Sequence, residues 1–517
     1  MVIKVSILIV FFAIMVGIGI YCRKHATDVK GFVLGGRSVG PWLTAFAYGT
    51  SYFSAVVFVG YAGQFGWRFG IASTWIGLGN AVIGSLLAWV VLGRRTRIMT
   101  QHLDSSTMPE FFGRRFDSKS LKIGASALIF VFLIPYTASL YIGLSRLFAM
   151  AFNVDFTVCI IGMAVLTGIY VIAGGYMATA INDFIQGIIM IFGICAVIAA
   201  VLQSKGGFME AMSSLAEVED AEVTSMNGAF ASFLGPDPLG LLGVVVLTSL
   251  GTWGLPQMVQ KFYAISSESA IHKGTIISTL FAVIVSGGCY FLGGFGRLFS
   301  DSINIEADGY DAIIPTMLSG LSDVLIGLVV LLVLSASMST LSSLVMASSS
   351  TLTLDFIKDI FAKDMSEKAQ VKCIRVLIVI FIAISVVIAL IQYKGAVTFI
   401  AQLMGISWGA LAGAFLGPMI YGLYWKKTTK AACWTSFICG AGIMIAVILV
   451  PQIFPSFLQS SINAGAFAMA VSLVIVPVVS LFTKKPSERL TEDCFRCYDI
   501  PATVKSKIAL PDDEEEI

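Results

Sequence analysis

Hydroxyl side chains are concentrated in one apolar stretch of the chain, residues 324–352. Residues 335–343 of this stretch read Ser-Ala-Ser-Met-Ser-Thr-Leu-Ser-Ser. Positions 336, 339, 340 and 343 follow helical spacing and therefore share one face. A column of oxygens on one helix face suits a hard cation, which prefers oxygen ligands. The alternative is that the hydroxyls bond to carbonyls one turn earlier and serve only packing.

Two other apolar segments are interrupted by residues that favour a break. Segment 41–63 carries Gly-Thr-Ser-Tyr at 49–52 and Ser54, and segment 238–262 carries Gly-Thr-Trp-Gly at 251–254 and Pro256. Proline has no N–H, so the carbonyl of Thr252 loses its helical partner, and nearby glycines make unwinding easier. Broken helices in corresponding places point to a central binding site. The alternative is that these residues only allow close packing or a kink.

Asp183 is the third feature, at the start of the apolar segment 180–203. An acidic residue beside an apolar helix with no obvious basic partner is a functional candidate. The alternative is that Asn182 and Asp183 cap this helix.

Cysteine chemistry and hydrolysis are weaker interpretations. Cys494 and Cys497 form one CxxC, but a zinc site needs two further ligands that residues 484–517 do not offer. Gly405-Ile406-Ser407-Trp408-Gly409 is a formal GxSxG, which works only at a strand-to-helix turn with a histidine nearby. It lies inside an apolar segment in which glycine recurs every four residues, so a helix-packing face is the better interpretation.

The elements that position these residues follow from composition. With 57% hydrophobic and 12% charged residues, the chain has too little polar surface to cover a soluble fold. We count about thirteen apolar segments, each long enough to cross a membrane as a helix. They are 5–22, 41–63, 70–93, 123–152, 156–173, 180–203, 238–262, 275–296, 324–352, 374–393, 398–424, 432–452 and 461–482.

The distribution of Lys and Arg predicts the orientation, because basic loops stay on the cytoplasmic side. Basic clusters fall at 23–37, 94–122, 358–375, 426–430 and 484–507, while the loop 204–237 is acidic. This pattern predicts an external N-terminus and a cytoplasmic C-terminus in the inner (plasma) membrane. The net charge of +2 is then a topological signal and gives no support for nucleic-acid binding.

Five helices per repeat would give an inverted pair of bundles. The predicted organisation is a helix and basic loop at 1–40, a first repeat at 41–203, an external loop at 204–237, a second repeat at 238–424, two further helices at 425–483 and a tail at 484–517. Polar groups from the two broken helices should meet near the midplane. We predict that the solute site is lined by Tyr52, Ser54, Thr252, Trp253 and Gln257.

An ordered set of motifs from about residue 30 to 485 resembles the sodium/solute symporter family. The set comprises Gly-Gly-Arg-Ser at 35–38, Met-Pro-Glu-Phe-Phe-Gly-Arg-Arg-Phe at 108–116, Gly-Gly-Tyr at 174–176, Asn-Asp-Phe-Ile-Gln-Gly at 182–187, the hydroxyl run at 336–343, Thr-Leu-Asp at 353–355 and Tyr-Trp-Lys-Lys-Thr-Thr at 424–429. The resemblance implies an all-α membrane fold, the leucine-transporter-type 5+5 inverted repeat, with one helix before it and two after. It also implies a sodium-coupled symporter that works by alternating access and not an enzyme.

The resemblance also implies the sodium ligands. The main site would use the carbonyls of Thr50 and Phe53 with Ala336, Ser339 and Thr340, and some members add a second sodium, here at Asp183, Ser342 and Ser343. Sodium would be the coupling ion, with no other cofactor and no catalytic residue. Its partners would be the solute, sodium and lipid, and we expect it to function as a monomer.

The solute implied by the resemblance carries a carboxylate. Tyr52 stands where the proline-carrying members have an acidic residue, and residues 51–55 and 254–257 look closer to the pantothenate and monocarboxylate branches. Sialic acid and amino acids remain open. A transporter-like sensor is the other alternative, for which residues 484–517 are too few to form a signalling domain.

Overall fold

The computed structural model describes residues 2–23, 28–152, 154–220, 223–224, 226–394 and 400–499. Lys24 and the part of the predicted tail beyond residue 499 lie outside the described residues. Within the described residues the chain is almost entirely helical and has no strand. The long helices are Val2–Cys22, Pro41–Tyr52, Lys119–Phe152, Phe156–Ser204, Pro238–Gly254, Glu268–Ala282, Asp323–Thr351, Glu367–Lys394, Ile400–Tyr424, Lys430–Leu449 and Ser461–Phe482. The segments that continue or connect them include Val29–Leu34, Val56–Tyr61, Ala62–Phe69, Thr74–Gly79, Asn80–Leu87, Trp89–Gly93, Arg94–His102, Met108–Arg115, Phe208–Ala216, Pro256–Ala264, Val283–Gly287, Gly288–Gly293, Leu352–Ile357 and Glu488–Arg496.

The helices confirm a polytopic membrane protein. Within the described residues, nine helices are long and apolar enough to cross a membrane, or ten if one bent pair is counted as a span. Two shorter apolar helices, Ser6–Cys22 and Phe156–Ile169, accompany them. Within the described residues each predicted apolar segment falls largely on helix, and residues 398–399 lie outside them. The number of thirteen crossings stays a prediction.

The first predicted break is confirmed at Phe53. Pro41–Tyr52 ends there because Phe53 is extended, with φ −107° and ψ 103°. Ser54 Oγ accepts a hydrogen bond of 3.2 Å from the amide of Val56, where the wider π-helical turn Val56–Tyr61 begins. We call the pieces 41–52 and 56–69 the first broken helix.

The second predicted break lies at Leu255, which is extended with φ −83° and ψ 125°. Pro256 is the first residue of the next helix, where its missing N–H costs no helical bond. The two halves, Pro238–Gly254 and Pro256–Ala264, meet at 47°. We call them the second broken helix.

A further break divides Phe156–Ser204. Gly175 has φ 60° and ψ −157°, a conformation that side chains other than glycine rarely adopt. The second half of the helix therefore begins next to Gly175, and Asp183 lies within it rather than at its start. The alternative interpretation, that Asn182 and Asp183 cap this helix, is therefore wrong, because the helix begins earlier than the apolar pattern suggested.

The hydroxyl-rich helix, Asp323–Thr351, lies at the centre of the bundle. It packs against Phe156–Ser204, Lys119–Phe152 and the first broken helix, and also against Glu367–Lys394 and Pro256–Ala264. Every residue from Leu332 to Thr351 is buried. Its hydroxyls therefore face protein rather than lipid.

One end of the bundle collects buried basic side chains, and we call it the basic end. Arg37 follows Gly35 and Gly36, which share its positive φ, and this turn aims its side chain inward. The guanidinium donates hydrogen bonds to the carbonyls of Thr100, Ser105 and Tyr263. Burial lowers the pKa of Arg37 from its ordinary value. The bond to Tyr263 joins the loop before the first broken helix to the last residues of the second.

Close approach between helix backbones supplies a packing prediction. A Cβ built on Gly66 would lie 2.0 Å from the carbonyl carbon of Gly293. This atom belongs to the main chain, so no change of side-chain rotamer can relieve the clash. Gly66→Ala is therefore expected to destabilise the protein by about 1–3 kcal/mol or more, as overpacking does. Thermal unfolding of the purified protein measures the loss. Gly442→Ala, where a Cβ meets nothing within 4 Å, is the matched control and is expected to unfold near the wild-type temperature.

Candidate cation and solute site

Four oxygens from two helices meet at the end of the first broken helix. The carbonyl of Thr50 accepts hydrogen bonds from Ser339 Oγ at 3.0 Å and from Thr340 Oγ1 at 3.2 Å. The same hydroxyls donate to the carbonyl of Ala336 at 3.1 Å and 3.0 Å. We call these four oxygens the main cation cluster. All four residues are buried.

The broken helix explains why Thr50 can take part. The last carbonyls of a helix have no partner within it, so they are free to accept from elsewhere or to bind a cation. Phe53, the fifth predicted ligand, lies at the break and its amide bonds Gly49. No hydrogen bond described in this structure joins the Phe53 carbonyl to the cluster.

The cluster fits a small hard cation through two carbonyls and two hydroxyls. The bonds to Ala336 are also what a pure packing role predicts, because they run to the same helix one turn earlier. A pure packing role does not predict the bonds to Thr50, because they join the hydroxyls to the end of a different, broken helix. Sodium binding itself stays a prediction.

Two predicted solute residues are held by carbonyls of a widened helix. Trp253 Nε1 donates to Ile83 at 2.9 Å and Thr252 Oγ1 donates to Gly84 at 3.0 Å. Both acceptors lie in the π-helical segment Asn80–Leu87. A π-helical turn occurs often at functional sites and leaves carbonyls poorly paired within the helix. These bonds fix the second broken helix against this segment.

Tyr52 is similarly tied, since its hydroxyl donates to the carbonyl of Thr248 at 2.5 Å. Its ring stacks on Phe53 with centroids 4.2 Å apart. Tyr52 therefore joins the ends of both broken helices.

Gln257 differs from these residues because its side-chain amide has no hydrogen-bond partner among the described residues. Both Oε1 and Nε2 are buried without a hydrogen bond, and the residue is 1% exposed. Buried side-chain polar atoms are normally paired, so an unpaired amide next to a helix break indicates a place for a polar ligand. Among the five predicted solute residues, Gln257 carries the clearest signal.

The residue pattern missed a neighbouring aromatic group. The ring centroid of Trp408 lies 6.0 Å from that of Tyr52 and 5.9 Å from that of Tyr136. Trp408 Nε1, Ser407 Oγ and the Tyr136 hydroxyl are buried without a hydrogen bond to any described residue. The Tyr136 hydroxyl lies close to the side chains of Ser54 and Trp408. Ser407 and Trp408 were interpreted only as part of a packing face.

Asp183 has a basic partner, which corrects the sequence interpretation. Lys261 Nζ lies 3.8 Å from Asp183 Oδ2, and the two side chains are 3% and 1% exposed. The two groups form an ion pair but no hydrogen bond, since neither Asp183 oxygen has a partner within hydrogen-bond distance among the described residues. The pair was missed because Lys261 lies at the end of an apolar segment, where a lysine resembles a boundary residue.

The other two predicted ligands of the second sodium separate in the structure. Ser343 Oγ accepts from Lys261 Nζ at 2.9 Å and lies 2.8 Å from Ser51 Oγ. Ser342 Oγ instead donates to the carbonyl of Ser339 on its own helix at 2.8 Å. Ser343 therefore shares a neighbourhood with Asp183 through Lys261, whereas the Ser342 hydroxyl bonds within its own helix.

Comparison with known proteins decides the family. Residues 32–440 match the sodium:solute symporter family. The chain belongs to this family. Similar curated relatives include the sodium/proline symporters of Staphylococcus aureus strains JH9 and NCTC 8325, 29% identical over 504 residues and 95% of both chains. Sodium is thus the coupling ion of the family to which this transporter belongs.

Solved structures show the same fold. A sodium-coupled sialic acid symporter in a substrate-bound outward-open state matches with a TM-score of 0.73 and 15% identity, covering 94% of this chain and 99% of its own. A nucleobase-cation-symport-1 family transporter in a closed conformation matches with a TM-score of 0.51 and 13% identity, covering 90% and 98%. These likenesses show the fold alone.

Membership of a transporter family also removes the hydrolase alternative. Ser407 of the formal GxSxG lies inside the helix Ile400–Tyr424. The glycines of this helix form a packing face, where a Cβ on Gly409 would lie 2.7 Å from Gly465 Cα on the helix Ser461–Phe482. The packing interpretation is confirmed.

Proposed function

We propose that this protein imports a small carboxylate-bearing solute by symport with sodium bound at the main cation cluster. The observation that supports this proposal is a set of hydrogen bonds at a helix break. They join the Thr50 and Ala336 carbonyls to the Ser339 and Thr340 hydroxyls. A cation at this point would join the first broken helix to the hydroxyl-rich helix. Occupancy of the site would therefore bias which side of the membrane the solute site faces.

The proposed architecture is the inverted 5+5 repeat with thirteen crossings. Breaks at Phe53 and Leu255 in corresponding helices support it, as does the likeness to the sialic acid symporter fold. The basic end would face the cytoplasm in the plasma membrane, with the N-terminus outside. We propose a functional monomer that works by alternating access.

The proposed solute class rests on chemistry that the relatives share. Proline and sialic acid, named for the sodium/proline symporters and the sialic acid symporter, both carry a carboxylate. In this chain an amide donor at Gln257 and hydroxyls near Ser54 are available to such a group. Tyr52 in place of an acidic residue argues against proline, so pantothenate and monocarboxylates belong in the same test.

Uptake by cells that express the full chain tests this proposal. Labelled proline, pantothenate, pyruvate, lactate and sialic acid would each be offered with sodium or with choline in its place. We expect one of these solutes to enter faster than in empty-vector cells, and only with sodium. Equal uptake of that solute in choline medium would contradict sodium coupling.

Gln257→Ala and Ser54→Ala are expected to weaken solute binding more than sodium binding. A hydrogen bond to a charged group contributes about 1.5–3 kcal/mol, so KM for the solute should rise about tenfold or more. The sodium concentration for half-maximal uptake should change less. Gln370→Ala removes another buried glutamine, which bonds the Met365 carbonyl, and should leave both constants near wild type. Unchanged KM in both test variants would exclude them from the solute site.

A further inference from the structure

The buried ammonium of Lys261 lies where a second coupling cation was expected. Among the described residues it lies near the Ser343 hydroxyl at 2.9 Å, the Asp183 carboxylate at 3.8 Å and the ring of Tyr176, whose centroid is 5.2 Å away. A hydroxyl, a carboxylate and an aromatic face are all groups that attract a cation. The lysine side chain therefore has a cation-binding environment supplied by two helices, Phe156–Ser204 and Asp323–Thr351.

An ammonium group and a sodium ion compete for the same position here. Asp183 and Ser343 are two of the three groups expected to hold a second sodium, and both already face Lys261. Two cations next to one carboxylate repel each other strongly in a dry site. Ser342, the third expected ligand, turns to its own helix.

The lysine position is linked to the main cation cluster. Ser343 Oγ lies 2.8 Å from Ser51 Oγ, and Ser51 adjoins Thr50 at the first break. Lys261 lies on Pro256–Ala264, the second half of the second broken helix. The ammonium thus joins the second broken helix, the hydroxyl-rich helix and the helix of Asp183.

We propose that the Lys261 ammonium permanently takes the place of a second coupling sodium, so that the transporter binds one sodium per cycle. This inference rests on the proposed function, because it assumes that the main cation cluster binds sodium. The lysine stays attached to the chain and is not released on either side. It supplies the charge that joins the helices, and it carries no ion across the membrane.

The proposal changes how the membrane potential acts on transport. One sodium with a monoanionic solute moves no net charge, whereas two sodium ions would move one positive charge. That charge would let the membrane potential drive uptake directly. Uptake of a monoanion by this chain is therefore expected to generate no transport current.

Equilibrium binding of radioactive sodium to the purified full-length protein tests the proposal without knowledge of the solute. We expect one sodium per chain in wild type and in Lys261→Arg, which keeps the charge. Lys261→Ala frees Asp183 and Ser343, so we expect two. The double variant Lys261→Ala with Asp183→Asn should return to one, since the freed position has lost its carboxylate.

The outcomes separate this inference from the proposed function. Two sodium ions bound to wild type, or one bound to folded Lys261→Ala, would overturn the lysine assignment. No sodium bound to wild type would instead contradict sodium binding at the main cluster. If Lys261→Ala does not fold, the wild-type count together with the current measurement for a monoanion decides, and a current accompanying uptake would overturn the proposal.

Discussion

Ser339→Ala and Thr340→Ala are each expected to raise the sodium concentration for half-maximal uptake by about tenfold or more. Each variant removes one oxygen from a small cluster that is buried away from water. A lost ligand costing about 1.4 kcal/mol already lowers affinity tenfold. Sodium titration of uptake, at matched surface expression, measures the effect.

Ser337→Ala is the matched control for this pair. Its hydroxyl is buried in the same helix but donates only to the Val333 carbonyl at 2.7 Å, one turn earlier. Its sodium dependence is expected to stay near wild type. If Ser339→Ala and Thr340→Ala both behaved like Ser337→Ala, the assignment of the main cation cluster would be wrong.

Asp183→Asn is expected to lower the thermal stability of the purified protein strongly, because it leaves the Lys261 ammonium buried without its carboxylate. Breaking one side of a buried ion pair costs about 3–5 kcal/mol. Combining Asp183→Asn with Lys261→Met removes both charges and should recover most of the loss, since apolar replacement of a buried pair is often neutral. Unfolding temperatures of the two single variants and the double variant measure the coupling.

Asp155→Asn provides the control for this prediction. Asp155 accepts from the amides of Thr157 and Val158 at a helix start, a role that Asn fills as well. A small effect is expected there. An equally small effect of Asp183→Asn would mean that the Lys261 pair contributes little to the fold.

Local residue types predicted both helix breaks. Glycine, proline and hydroxyl side chains act through the backbone of their own segment, so the breaks at Phe53 and Leu255 needed no knowledge of packing. The shared face of Ala336, Ser339 and Thr340 follows from helical spacing alone. Their meeting with Thr50 followed from family resemblance, since spacing within one helix says nothing about its neighbour.

Local sequence patterns could not predict the ion-pair partner of Asp183. Lys261 lies on a different helix, and only packing brings the two side chains to 3.8 Å. A search for one acid and one base in apolar segments would have paired them, because intramembrane charges usually have partners. The capping alternative for Asp183 depended on where the helix starts, and Gly175 sets that start by a backbone conformation that the apolar pattern does not indicate.

A sodium gradient is expected to drive solute uptake by this transporter. The direct measurement is solute accumulation in vesicles reconstituted with the purified protein, under an imposed inward sodium gradient or an imposed inward proton gradient in sodium-free buffer. We expect transient accumulation above the external concentration under the sodium gradient alone, and its loss when Ser339 and Thr340 are both replaced by alanine. Equal accumulation under the proton gradient without sodium, or full sodium-driven accumulation by the double alanine variant, would contradict it.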